Sequence, residues 1–213
     1  METVVNTRAS ILARFLDRPV NGTGRLFLLL SIVAILAGGA LPLWRISLVA
    51  PQYAEGLTLD MYAYQIVAGN NGQDLAEINT LNHYIGMKPI AQADFLEMRV
   101  LPFAIGVFAL LALRAAVIGR IVTVVDLAVL FLYFGMFSLG SFVYRLYTYG
   151  HHLDPQAPMK ITPFMPVVVG SQQIANFVQT SLPLAGTICM GTFFMLLVAV
   201  LVSSAREARR EVV

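Results

Sequence analysis

Leu26-Phe27-Leu28-Leu29-Leu30-Ser31-Ile32-Val33-Ala34-Ile35-Leu36 opens a run that reaches Leu43 without a charged side chain. About 20 apolar residues let a helix cross the hydrocarbon core of a bilayer, so this stretch predicts a membrane span. Three further runs predict spans over Leu101 to Ile118, Ile121 to Val143 and Leu182 to Val202. The whole chain carries the same signature: 58% of its 213 residues are hydrophobic and 12% charged. A soluble domain usually has about a quarter charged residues, so composition alone places the chain in the membrane class. The net charge of +2 is too small to indicate nucleic-acid binding. Cys189 is the only cysteine, so no intramolecular disulfide forms, and its apolar surroundings read as a small buried or lipid-facing residue.

These runs predict an all-α membrane protein with four transmembrane helices. Its transmembrane domain covers 26–203, between an N-terminal segment over 1–25 and a tail over 204–213. Asn21-Gly22-Thr23-Gly24 reads as a turn, and 11–16 as a short helix on the membrane surface. Gly38-Gly39-Ala40 lets a neighbouring helix come close, while Pro42 and Trp44-Arg45 mark the exit at the lipid–water boundary. Arg114 and Asp126 flank the Gly119-Arg120 turn, and the expectation is an ion pair holding that hairpin. The competing reading is a functional site, the default for ionisable groups within a span.

Eight basic residues (Arg8, Arg14, Arg18, Arg25, Arg120, Arg206, Arg209 and Arg210) flank one set of helix ends. The other end has Arg45, Lys88, Arg99, Arg145 and Lys160 against seven carboxylates. The positive-inside rule then puts both termini in the cytoplasm. It puts loops 46–98 and 147–181 outside, packed together, facing the periplasm if this is a Gram-negative inner membrane.

The first loop opens on Ile46 to Val49, a short strand or extended exit, and continues with Leu57 to Val67, strand or helix. From Asp74, Leu75, Ile78, Leu81 and Ile85 share one helical face. Asn79, His83 and Met87 fall on the other side, unless Gly86 ends the helix and leaves Met87 in the loop. The second loop is kept irregular by Pro155, Pro158, Pro163 and Pro166. Ser171 is expected to cap a short helix through Gln179.

All three histidines lie in these loops: His83, His151 and His152, with Met87 and Asp154 near them. Imidazole and thioether together suit copper, since soft sulfur favours Cu(I) and imidazole binds either copper state. Asp154 would be a ligand or orient an imidazole from behind. No zinc spacing is present. The competing reading has His83 packing between loops and His151 and His152 at headgroup level. No nucleotide loop, serine elbow or carboxylate pair occurs, so nothing reads as a soluble enzyme's active site.

Four stretches carry a resemblance: Ala50 to Leu57, Asn79 to Ile90, Tyr149 to Lys160 and Gly170 to Pro183. Together they resemble a group of small multi-span bacterial membrane proteins. Such proteins are encoded near copper-handling and nitrous-oxide-reductase accessory genes. The chain departs from that pattern at Ala54, where proline is more usual. The resemblance implies a copper context and supplies no activity. The expected function is a membrane accessory protein for copper handling or cuproenzyme assembly, with lipid and another membrane or periplasmic protein as partners. The alternative is a structural subunit of a larger membrane complex, without metal of its own.

Overall fold

The computed structural model describes residues 13–210. Four helices are long and apolar enough to cross a membrane: α1 (Gly22–Ala40), α3 (Glu97–Ile118), α4 (Ile121–His151) and α5 (Ala185–Arg210). A fifth, α2 (Gln73–Tyr84), is amphipathic and short. The chain is not all-α. Strands β1 (Trp44–Ala50), β2 (Tyr53–Met61), β3 (Ile66–Ala68), β4 (Gly170–Ile174) and β5 (Phe177–Pro183) form one antiparallel sheet in the order β3-β2-β1-β5-β4. The helix expected over 171–179 is therefore a hairpin, with Ala175 at its tip in the left-handed region (φ 51°).

Contacts divide the chain into two units. The first takes residues up to Ala37, Ala104–Gly135 and residues from Cys189 on. Its core is aromatic: Phe131 stands 5.2 Å from Phe108 and 4.7 Å from Phe193, ring centre to ring centre. Such tilted and edge-on pairs add to the burial of the rings. Ala112 and Ala115 are fully buried, as are Ile121 and Val124. Asn21 caps α1, its Oδ1 accepting the Gly24 N–H at 2.7 Å, so 21–24 is a helix start rather than a free turn. Residues 13–16 are helical; 11 and 12, in the expected surface helix, lie outside the described residues.

Arg114 and Asp126 are both exposed and, among the described residues, make no ion pair with each other. Helical phase explains it. Leu110, Leu113 and Val117 around Arg114, and Val129 and Leu130 around Asp126, are exposed too. Both charges therefore sit on outward faces of their helices.

The second unit takes Gly38–Phe103 and Met136–Ile188, hence both polar loops. β1 belongs to the first loop and β5 leads out of the second, and they pair from Trp44↔Pro183 to Val49↔Val178. Two loops sharing one sheet lie on the same side of any membrane the four helices cross. Helix α2 packs Ile78 and Leu81 on Leu48, Leu57 and Leu59 of the sheet, with Ile85, Ile174 and Phe177 completing the core. Each such side chain contributes about 1.5–3 kcal/mol by leaving water.

Asp74 fixes where α2 starts. Its carboxylate is 2% exposed and accepts the Thr58 N–H at 2.8 Å and an Asn70 amide N–H at 2.7 Å. It also suits the positive end of the helix dipole. Arg45 and Asp60 face each other across β1 and β2 with two hydrogen bonds of 2.6 and 2.7 Å.

Helix α4 has 31 residues, about 46 Å at 1.5 Å per residue. That exceeds the ~30 Å hydrocarbon core, so its last turns stand clear of it. There Arg145 binds both oxygens of Glu97 (2.8 and 2.7 Å) and the Asp94 carbonyl (2.7 Å), and lies over the Phe95 ring. Large apolar side chains cover the outer faces of the helices, among them Phe103 at 73% exposed and Phe137 at 71%. Water would penalise such a surface, and lipid accepts it.

Candidate functional site

The site is built where α2 and α4 end. Helix α2 stops at Tyr84, and Gly86 turns the chain with φ +81°. The last turn is closed by Gly86 N–H to the His83 carbonyl (3.1 Å) and Met87 N–H to the Asn82 carbonyl (2.7 Å). Met87 is thus off the helix. Asn79 does not join it in a donor row: its side-chain amide clamps the backbone of Ile90, accepting at 2.7 Å and donating at 3.0 Å. That clamp folds the loop 86–90 back on the helix.

Helix α4 ends at His151. Gly150 sits there because any Cβ would run into the Phe164 carbonyl. Its own carbonyl accepts the Phe164 N–H at 3.0 Å. Asp154-Pro155-Gln156-Ala157 is then a tight turn, with the Ala157 N–H on the Asp154 carbonyl at 3.1 Å and Pro155 in its favoured second place.

The two ends are stitched together by backbone. Asp154 N–H donates to the Gly86 carbonyl at 2.8 Å, and Met159 N–H to the Tyr84 carbonyl at 3.0 Å. Gly86 is needed for the approach: a Cβ there would stand 2.9 Å from the Asp154 oxygen and 3.0 Å from Ala157 Cβ. This seam makes a pocket of ≈ 270 Å³ lined by His83, Met87, Lys88, His152 and Asp154, among others. His83 and His152 come from different loops, and both are exposed.

The other expected donors also make contacts of their own. His151 does not line the pocket. Its Nδ1 lies 3.0 Å from the Tyr147 carbonyl and its ring stacks on Tyr147 at 3.8 Å, finishing the helix. Asp154 Oδ1 accepts the Gln156 N–H at 2.8 Å and so shapes the turn. Lys88 lies in the pocket wall with its ammonium 2.8 Å from Asp94 Oδ2, close enough for an ion contact though not aligned as a hydrogen bond.

Among the described residues no group of three or more His, Cys, Asp and Glu side chains is placed to hold a metal ion. The possible donors among the residues that line the pocket are His83, His152, Met87 and Asp154. Imidazole suits zinc, copper, iron and nickel alike, and thioether favours Cu(I). Sequence reasoning named Asp74 and Asn79 but missed their roles, in setting the start of α2 and the fold of the loop after it. Their signal was position: Asp in a first helical turn, and Asn opposite a chain reversal.

No family model, no curated protein and no solved structure matches the chain, so the site stands on its geometry alone.

Proposed function

We propose that the chain is an inner-membrane accessory protein that handles copper on the periplasmic side, with His83, His152 and Met87 as the seat of the ion. One observation supports the reading: His83, Met87 and His152, from two loops distant in sequence, are among the residues that line one pocket. The orientation rests on the eight basic residues that flank the opposite helix ends. The seam between Gly86 and Asp154 holds the loops in register, so binding does not have to order them. A few soft ligands suit a protein that passes copper on, to a membrane or periplasmic partner, better than one that keeps it.

The test is anaerobic competition for Cu(I) against a chromogenic chelator, using the full chain in detergent. About one Cu(I) per chain is expected. His83→Ala and His152→Ala should each weaken binding by roughly tenfold or more, as loss of one of three ligands implies. His151→Ala should not, because His151 does not line the pocket. Wild-type protein that fails to compete, or a His83→Ala/His152→Ala double variant that binds as well, overturns the proposal. The loops would then serve only to dock a partner in a larger complex.

A further inference from the structure

The first unit presents two opposite charges on outward faces near the turn between α3 and α4. Arg114 lies four residues before Ile118, where α3 ends, and Asp126 five after Ile121, where α4 begins. At 1.5 Å per residue that is about 6 and 7.5 Å along the two helices. Phe108 and Phe131, each ten residues from those same helix ends, meet at 5.2 Å between ring centres. Residues equally far from the turn therefore lie at equal depth, and Arg114 and Asp126 share one level of the membrane to within about 2 Å. Neither has an ion pair or hydrogen bond among the described residues. Arginine is long enough to reach the surface from that depth, whereas aspartate has a single methylene and reaches much less far.

Each charge belongs to a stripe of exposed side chains. On α4, Asp126, Leu130 and Tyr133 fall at i, i+4 and i+7; on α3, Leu110, Arg114 and Val117 do the same. That spacing is the seam along which helices interlock side by side. Tyr133 is 68% exposed, and its hydroxyl makes no hydrogen bond among the described residues. It stands about 18 Å along α4, deep in a ~30 Å hydrocarbon core. Ionisable groups within spans almost always face protein or a water-filled cavity, and an unpaired hydroxyl in hydrocarbon costs free energy, so these stripes call for another helix surface. A second copy of the chain supplies one. Every copy inserted the same way round carries Arg114 and Asp126 at the same depth. A shift within the membrane plane is then enough to bring one copy's cation to the next copy's anion. Leu110 and Leu130, about 12 and 13.5 Å from the turn, meet one level deeper. We propose that the chain self-associates in the membrane through the α3 stripe of one copy and the α4 stripe of the next, with Arg114 paired to Asp126 across the contact. The contact repeats until the assembly closes, twice in a two-fold pair.

The test uses two differently tagged copies of the full chain, co-expressed so that both insert the same way round. Capture through one tag after mild detergent extraction should recover the other. Arg114→Asp and Asp126→Arg should each lower that recovery about tenfold or more, because like charges then meet. Co-expressing the two single variants should restore it, since each carries the charges that the other lacks. An effect confined within one chain is not rescued in this way. A second readout leaves the charges alone and is made in the intact membrane. With Cys189→Ser throughout, Leu110→Cys on one copy and Leu130→Cys on the other should be joined by a short bifunctional thiol reagent. Val117→Cys and Tyr133→Cys, about 16 Å apart in depth, should not. The proposal falls if the Leu110 and Leu130 positions stay unjoined, or if the Val117 and Tyr133 positions join as readily. It falls equally if folded charge-reversal variants associate like wild type, or if co-expressing them restores nothing.

Discussion

Gly86→Ala perturbs the seam between the loops with a single methyl group. An alanine held at φ +81° costs about 1–2 kcal/mol. Its Cβ would also press on the Asp154 backbone and Ala157 at 2.9–3.0 Å, where no flexible side-chain end can yield. If the loops part to relieve this, the hydrogen bonds from Asp154 N–H and Met159 N–H are lost, each worth about 0.5–1.5 kcal/mol. Those bonds break on opening in wild type too, so the variant's closed seam is raised by the strain alone, roughly 1–2 kcal/mol before the clash is counted, or about a 5- to 30-fold rise in opening at 1.4 kcal/mol per decade. Hydrogen exchange of the Asp154 and Met159 amides, read by mass spectrometry on protein in detergent, measures it directly. Their protection should fall by that factor, and Cu(I) affinity should fall with it. Gly106→Ala is the control, since nothing lies within 4 Å of its added Cβ; it should exchange like wild type and gain up to about 1 kcal/mol in helix propensity. Protection at both amides within about twofold of wild type in Gly86→Ala would refute the reasoning.

Three other outcomes are expected. Asp74→Ala strips the Thr58 N–H and Asn70 amide of their acceptor and should cost about 1.5–3 kcal/mol in denaturant unfolding; a loss under ~0.5 kcal/mol would contradict its anchoring role. Tyr53 donates to Glu77, which raises the phenol above its ordinary pKa. Its contribution is complete below the unfolded value near 10 and fades as pH rises through the folded one, so absorbance titration at 295 nm should show a late-titrating tyrosine component that Glu77→Gln diminishes. A cysteine at Gln73 should react with an impermeant thiol reagent added from the periplasmic side and one at Asn21 should not; the reverse pattern overturns the orientation.

The spans were legible because bilayer thickness imposes a length and composition that few soluble elements meet. Their ends were less so. Val143 looked like the end of the third span, because Tyr144, Arg145 and Tyr147 follow it. The helix continues to His151 because Arg145 finds Glu97. The β5 strand shows why the sheet was hidden. Phe177, Gln179 and Ser181 face inward while Val178 is 40% exposed. Burial alternates as in a strand, but hydrophobicity does not follow it. Ser181 can be buried because it accepts from the Trp44 indole at 2.7 Å and donates to the Val168 carbonyl at 2.8 Å, partners 137 and 13 residues away. No local reading sees such partners. In the candidate site, residue type pointed to the histidines, while the division of labour between His151 and His152 depended on where α4 ends.

The pairing of β1 with β5 also sets an order of events during synthesis. β1 can pair with β2 as soon as both emerge, yet its other edge waits for Phe177–Pro183, about 130 residues later. At translation rates of ~5–20 residues per second that is roughly 6–25 s. In that interval α3 and α4 enter the bilayer while a strand in mid-sheet has one bare side. A chain stalled before Phe177 keeps that edge open for good, and open edges recruit other strands. Completion of the last hairpin is thus the step that separates a finished molecule from an aggregation-prone nascent one, and quality control of truncated chains has a defined structural mark to recognise.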